Sequence, residues 1–179
     1  MKSTKFPLRP TLILGVICLL AALLLAALNR VTTPVIAENE LETANAVYAA
    51  LLPEADGFTR LPSDIEGVTA VMKANNGVGY VITAQSRGYG GQVPAAVAFS
   101  ADGVILGVTM MDNSETPGLG QKVTEPAFSA QFAGKTAEPL TIDEIDAVTG
   151  ATISSRAAVS AIDLAIAAYR EIGGTDGES

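Results

Sequence analysis

The chain contains no histidine and a single cysteine among its 179 residues, and 19 Asp and Glu outnumber 11 Lys and Arg. Each shortage closes a class of function. Without histidine the chain lacks the commonest general base and the commonest metal ligand. Cys18 stands alone, which leaves no disulfide framework, no Cys-x-x-Cys pair and no thiolate cluster for zinc or iron–sulfur. A net charge of −8 argues against nucleic acid and against an electrostatic grip on anionic lipid, because both need a basic surface. A Ser or Thr nucleophile would find no imidazole to activate it, so hydrolase chemistry is the wrong class. If a cofactor is present, it must bring its own reactivity.

What the chain has in excess is one apolar run, TLILGVICLLAALLLAAL, from Thr11 to Leu28. As a helix these residues would span roughly 27 Å, close to the hydrocarbon thickness of a bilayer. The expectation is a retained transmembrane anchor. A cleaved signal peptide competes with it, but such peptides have a shorter apolar core and a small-residue cleavage site that Ala26-Ala27-Leu28-Asn29-Arg30 fits poorly. Lys2, Lys5 and Arg9 before the run, against Arg30 after it, predict a cytoplasmic N-terminus. The protein is then expected in the cell inner (cytoplasmic) membrane as a single pass, with its bulk extracytoplasmic. Three parts follow: 1–30 as N-terminus and anchor, 31–172 as one domain, and 173–179 as a loose polar tail. Glu38, Glu40 and Glu42 read as a solvated helix face.

Beyond the anchor, residues 37–57 read as a helix, with Leu41, Ala44, Tyr48 and Leu51 at helical spacing and Pro53 and Gly57 closing it. Residues 67–74 and 78–85 are apolar runs joined by Asn75-Asn76-Gly77, which supplies the positive φ angles of a tight hairpin. Residues 94–100 and 103–111 form a second such pair around Ala101-Asp102-Gly103. A short helical stretch over 125–132 follows. A last helix is expected from Ser154 or Ser155 to about Ile172, carrying Val159, Ile162, Ile166 and Tyr169 inward and stopping at Gly173-Gly174. The fold class is α+β: one domain with an antiparallel sheet flanked by helices.

Three segments carry possible chemistry. Gly88-Tyr89-Gly90-Gly91 reads either as a wide connection needing positive φ or as backbone brought close to a flat or phosphorylated ligand, with Tyr89 as a stacking face. Glu115-Thr116-Pro117-Gly118-Leu119-Gly120 contains an ordinary Pro-Gly turn, yet two such loops on successive connections can converge on one rim of a sheet. The third is Thr149-Gly150-Ala151-Thr152-Ile153-Ser154-Ser155. Thr152 falls at or just before the first turn of the last helix, where unpaired N–H groups and the helix dipole favour an anion. Gly150 leaves room for something bulky, and Ser154 and Ser155 can cap the helix or donate to phosphate oxygens. From the residues alone, simple capping and phosphate binding both stand.

The stretch from Asp146 to Ser155 resembles the flavinylation motif of FMN-binding domains, in which a motif threonine carries FMN through a phosphoester bond. The order of features, namely an apolar span, the exit TTPVIAENE, a GYGG loop and an ETPGLG loop, is similar to the G subunits of Rnf electron-transport complexes. The related C subunits of sodium-pumping NADH:quinone oxidoreductases resemble it less closely. Thr149 stands where serine is commoner and keeps the hydroxyl. The resemblance implies Thr152 as the covalent FMN site, with Thr149, Gly150, Ala151, Ser154 and Ser155 around it. It further implies Gly88, Tyr89, Gly90, Gly91, Glu115, Thr116, Pro117, Gly118, Leu119 and Gly120 near the isoalloxazine or the phosphate. A flavin transferase using FAD would install the cofactor, and other Rnf subunits would supply the remaining redox centres. No metal site is expected on this chain. The function implied is electron relay within a membrane-bound ferredoxin:NAD oxidoreductase that moves sodium or protons. A membrane-anchored docking subunit without cofactor, the equivalent flavinylated subunit of a sodium-pumping NADH:quinone oxidoreductase, and a binding protein for a free nucleotide or phosphate are the alternatives.

Overall fold

The computed structural model describes the backbone of residues 8–176 and the side chains of residues 12–26, 29–30 and 43–173. The expectations resting on Lys2, Lys5, Arg9, Glu38, Glu40, Glu42, Leu41 and the final residues 177–179 lie outside them. Two compact units divide the chain, Met1–Ala44 and Asn45–Ser179.

In the first unit the described residues belong to α1 (Leu8–Leu51), whose apolar side chains from Leu12 to Leu25 are about half exposed or more. Among the described residues no helix is long and apolar enough to cross a membrane. The anchor expected over Thr11–Leu28 is therefore not carried by the structure, and Ala27 and Leu28 lie outside its described side chains.

The second unit opens with the end of α1. Its last hydrogen bond runs from Leu52 N to Tyr48 O, and Pro53 follows, whose ring disfavours helix at the residue before it. Five strands come next: β1 (Phe58–Leu61), β2 (Val68–Ala74), β3 (Gly79–Arg87), β4 (Gln92–Ser100) and β5 (Ile105–Met110). They form one antiparallel sheet in the order β1-β2-β3-β4-β5, a meander in which every strand pairs with its chain neighbours. Both expected hairpins are present. Each turns by the same device: Gly77 N bonds Ala74 O and Gly103 N bonds Ser100 O, with φ of +75° and +81° at the two glycines. Only the glycines take positive φ; Asn75, Asn76, Ala101 and Asp102 do not. That is a type I turn closed by a left-handed glycine. The edge strand β1 is an addition to the four strands expected.

α2 (Pro126–Ser129) is a single turn, shorter than the expected stretch over 125–132. α3 (Thr152–Asp176) starts two residues before the expected boundary and runs past Gly173-Gly174. Gly173 keeps a right-handed backbone instead of the left-handed one that stops a helix. The predicted stripe of Val159, Ile162, Ile166 and Tyr169 is buried, together with Ala157, Ala158, Ala161, Ala165 and Ala168. The alanines let α3 lie close on the sheet face made by Val71, Ile82, Val93, Ala95, Val97 and Phe99. Burying each large aliphatic of that stripe contributes about 1.5–3 kcal/mol. The opposite face carries Val81, Thr83, Ala96 and Ala98, also buried. There Tyr48 Oη meets Thr83 Oγ1 at 3.1 Å.

Candidate functional site

The GYGG segment proves to be the loop of a third hairpin. Arg87 pairs with Gln92 across the β3–β4 ladder, and Gly88 N donates to Gly91 O at 2.8 Å. None of Gly88, Gly90 and Gly91 has a positive φ, so the conformational reading of these glycines does not hold. They are small because something comes close. A Cβ on Gly90 would run into Ser114 O, and one on Gly88 would run into the carboxylate of Glu115, 3.0 Å from its Cδ. Tyr89, at the tip, is 74% exposed.

β5 delivers the second loop to the same rim, since Ala95 near the start of β4 pairs with Met110. Leu119 N bonds Thr116 O at 3.2 Å, and Gly118 takes φ +73° with open space around it. This is a type II turn with Pro117 and Gly118 at its two central positions. Thr116, Pro117 and Gly118 are exposed. Gly120 is buried and begins a 3-10 turn, Gly120–Thr124.

The third segment is held at its start by Gln131, whose side-chain amide brackets Asp146: Asp146 N donates to Gln131 Oε1 at 2.7 Å and Gln131 Nε2 donates to Asp146 O at 3.3 Å. Ala151 N then bonds Val148 O, Gly150 turns with φ +80°, and α3 begins at Thr152. The first bond of the α3 ladder is Ser155 N to Ala151 O, at 2.9 Å. The N–H groups of Thr152, Ile153 and Ser154 precede that ladder, and no acidic residue lies in the first turn. An anion would be favoured there.

The motif hydroxyls differ sharply. Thr149 and Thr152 are exposed, whereas Ser154 and Ser155 are buried. Ser155 Oγ accepts from Val148 N at 3.0 Å, which folds the loop back on the helix. Ser154 Oγ donates to Glu115 Oε2 in a short hydrogen bond. Glu115 Oε1 accepts from Gly90 N at 2.8 Å. One buried carboxylate therefore joins all three segments, a role that nothing in the sequence signals: Glu115 is expected among ligand-facing residues, yet it is only 2% exposed.

Around this joint, apolar groups face outward. Of the large hydrophobics exposed in residues 45–173, Tyr89, Leu119 and Ile153 belong to the three segments, and Leu106 does not. A Cβ on Gly150 would lie 3.2 Å from Leu119 Cδ1, which places the second and third segments side by side. The arrangement offers an exposed hydroxyl with unpaired N–H groups for a phosphate, and apolar and aromatic surface for a flat ring. These are the donor types FMN needs, so the residues fit that group. A cavity of about 380 Å³ between β5 and α2, lined by Gly107, Met110, Thr124, Pro126 and Ser129 among others, contains none of the motif residues. Among the described residues no group of acidic or cysteine side chains could hold a metal ion.

Comparison with known proteins agrees with this chemistry. An FMN-binding domain matches residues 88–167. The chain is 32% identical over 160 residues to the G subunit of the proton-translocating ferredoxin:NAD(+) oxidoreductase complex of Clostridium ljungdahlii, covering 86% of each. It is 35% identical over 188 residues to the G subunit of the Na(+)-translocating ferredoxin:NAD(+) oxidoreductase complex of Acetobacterium woodii, covering 90% of each. The fold is similar to that of Shewanella oneidensis NqrC, with a TM-score of 0.52 at 20% identity over 68% of this chain and 70% of that one.

Proposed function

We propose a function from one premise: the chain belongs to the family of G subunits of ion-translocating ferredoxin:NAD oxidoreductase complexes, and it carries that family's FMN-binding domain. It serves as an electron-transfer subunit of such an oxidoreductase complex, with the other subunits as its partners. Bound FMN supplies one- and two-electron redox chemistry that no side chain of this protein offers.

The finer reading is that FMN is attached covalently, through a phosphoester to Thr152 Oγ. The observation that carries it is the contrast among hydroxyls: Ser154 and Ser155 are buried and engaged, and of the two exposed threonines Thr152 begins α3 whereas Thr149 precedes it. The unpaired N–H groups of Thr152, Ile153 and Ser154 would hold the phosphate oxygens, and Tyr89, Leu119 and Ile153 would cover the ring and exclude water. A tether keeps a cofactor in an open compartment where reversible binding would lose it by dilution. Maturation then requires a flavin transferase with FAD as donor.

In the same reading, residues 1–30 provide a cytoplasmic N-terminus and a single-pass anchor in the cytoplasmic membrane, 31–172 an extracytoplasmic FMN domain and 173–179 the tail. The exposed apolar side chains between Leu12 and Leu25 support the anchor, because a surface of that kind is covered by lipid or protein.

The test is the intact mass and in-gel flavin fluorescence of the denatured full chain, produced with and without a flavin transferase. A gain of FMN less one water, mapped to the peptide around Thr152 and lost in Thr152→Ala, supports the assignment. An unmodified chain beside a working transferase overturns it and favours the docking-subunit alternative.

A further inference from the structure

The reading of Thr152 as attachment site leaves one buried charged group without a task. The Glu115 carboxylate has two partners among the described residues, Gly90 N–H and Ser154 O–H, and no cation. A lone carboxylate is a costly way to satisfy two donors, since burying a charge costs far more than burying a neutral acceptor. The fold is nevertheless shaped to admit it. Gly88 would strike its carboxylate with a side chain of any kind, and a Cβ on Gly120 would lie 2.9 Å from both its Cβ and its Oε2.

We propose that Glu115 is the positioning residue for flavin attachment: by holding Ser154 and Gly90 together it orients the first turn of α3 so that Thr152, and not Ser154, is presented to the incoming donor. The inference rests on the assignment of Thr152 above. Ser154 follows Thr152 by two residues, or about 200° around a helix, so the two side chains point to nearly opposite sides. Pinning Ser154 inward fixes the rotation of the turn and turns Thr152 Oγ outward. The same bond commits the Ser154 hydroxyl hydrogen to Glu115 and keeps that oxygen from competing. Gly90 ties the Tyr89 loop to the same carboxylate, so the ring surface and the attachment hydroxyl are set relative to each other before any flavin arrives.

Attachment transfers the FMN phosphoryl group from FAD to a chain hydroxyl. The Thr152 Oγ–P bond forms, the P–O–P bond to the AMP half breaks, AMP leaves, and the hydroxyl proton passes to a base of the transferase. No electrons are exchanged, and Glu115 touches none of the reacting atoms.

The experiment uses the unmodified full chain in detergent with a flavin transferase, magnesium and FAD. It measures initial rates against chain concentration, the modified residue by peptide mapping, and thermal unfolding of the unmodified chain. Glu115→Gln can accept from one donor but turns an amide toward the other, which frees the Ser154 proton. The expected result is a kcat for attachment lowered about tenfold or more, with KM changed less and part of the label moving to Ser154, at temperatures where the variant remains folded. Ser154→Ala, which removes only the helix end of the clasp, should lower kcat in the same way. A folded Glu115→Gln chain labelled at the wild-type rate on Thr152 alone overturns the proposal. If that variant does not fold, the wild-type rate in Ser154→Ala does so. Failure of the wild-type chain to take flavin defeats the Thr152 assignment itself, and the wild-type reaction reports that before any variant is compared.

Discussion

Gly120, at the start of its 3-10 turn, and Ser154, in the first turn of α3, are packed so closely that a Cβ added to Gly120 would sit 2.7 Å from Ser154 Oγ. Gly120→Ala should therefore destabilise the protein by about 1–3 kcal/mol, the usual cost of overpacking a filled site. Thermal unfolding of the unmodified chain measures it. Gly118 faces open space with a positive φ, so Gly118→Ala should cost about 1 kcal/mol through backbone strain alone. Equal losses at the two positions with no change in flavin loading at Gly120 would mean that the close packing is unimportant.

Thr152 and Ser155 should separate by stability. Thr152→Ala removes an exposed hydroxyl and should change unfolding free energy by less than about 0.5 kcal/mol. Ser155→Ala removes the acceptor of Val148 N–H and should cost about 1–3 kcal/mol. Denaturant unfolding of both apo variants gives the comparison, and a reversed order would contradict the described hydrogen bonding.

Tyr48→Phe should lower stability by about 1 kcal/mol, because it leaves the buried Thr83 Oγ1 without its partner. Tyr48→Phe combined with Thr83→Val should cost less than the sum of the two single changes. Strict additivity in that double-mutant cycle would show that the pair does not interact.

Tyr169 supplies a pH dependence. Burial, and secondarily the negative charge of Asp102, raise its pKa above the ordinary 10.0. The folded state then holds the phenolic proton more tightly than the unfolded state does. That stabilisation is complete below pH 10 and is lost as pH climbs through the higher folded value. Urea unfolding from pH 8 to 11 should therefore fall more steeply in the wild type than in Tyr169→Phe. The variant should also be less stable at pH 8, since it loses the 2.8 Å bond from Tyr169 Oη to Ala101 O. Parallel curves would remove Tyr169 from the alkaline transition.

Turn chemistry and helical periodicity made most of the fold legible. Asn75-Asn76-Gly77 and Ala101-Asp102-Gly103 announced two hairpins, because a left-handed glycine closing a turn between apolar runs is a local requirement. The Val159–Tyr169 stripe announced α3 for the same reason. β1 was silent: four residues, Phe58–Leu61, are too few to show alternation, and the strand exists by pairing with β2. The helix α3 outruns its expected end because Gly173-Gly174 costs only about 1 kcal/mol per glycine against a helix already docked along its length. In the candidate site, the motif marked Thr152 as the expected attachment residue. The burial of Glu115 was not, because it depends on glycines at positions 88 and 120 that meet it only after folding.

The order of the sheet also has a kinetic meaning. A meander closes only short loops, so its strands can pair in sequence with little entropic delay. The Glu115 joint reaches across 25 residues to Gly90 and 39 to Ser154, and it cannot close until α3 lies on the finished sheet. A chain that has formed its strands but not docked its last helix has a sheet without a site. Flavin uptake would then mark completed folding, and yellow colour per mole of chain would count the native molecules.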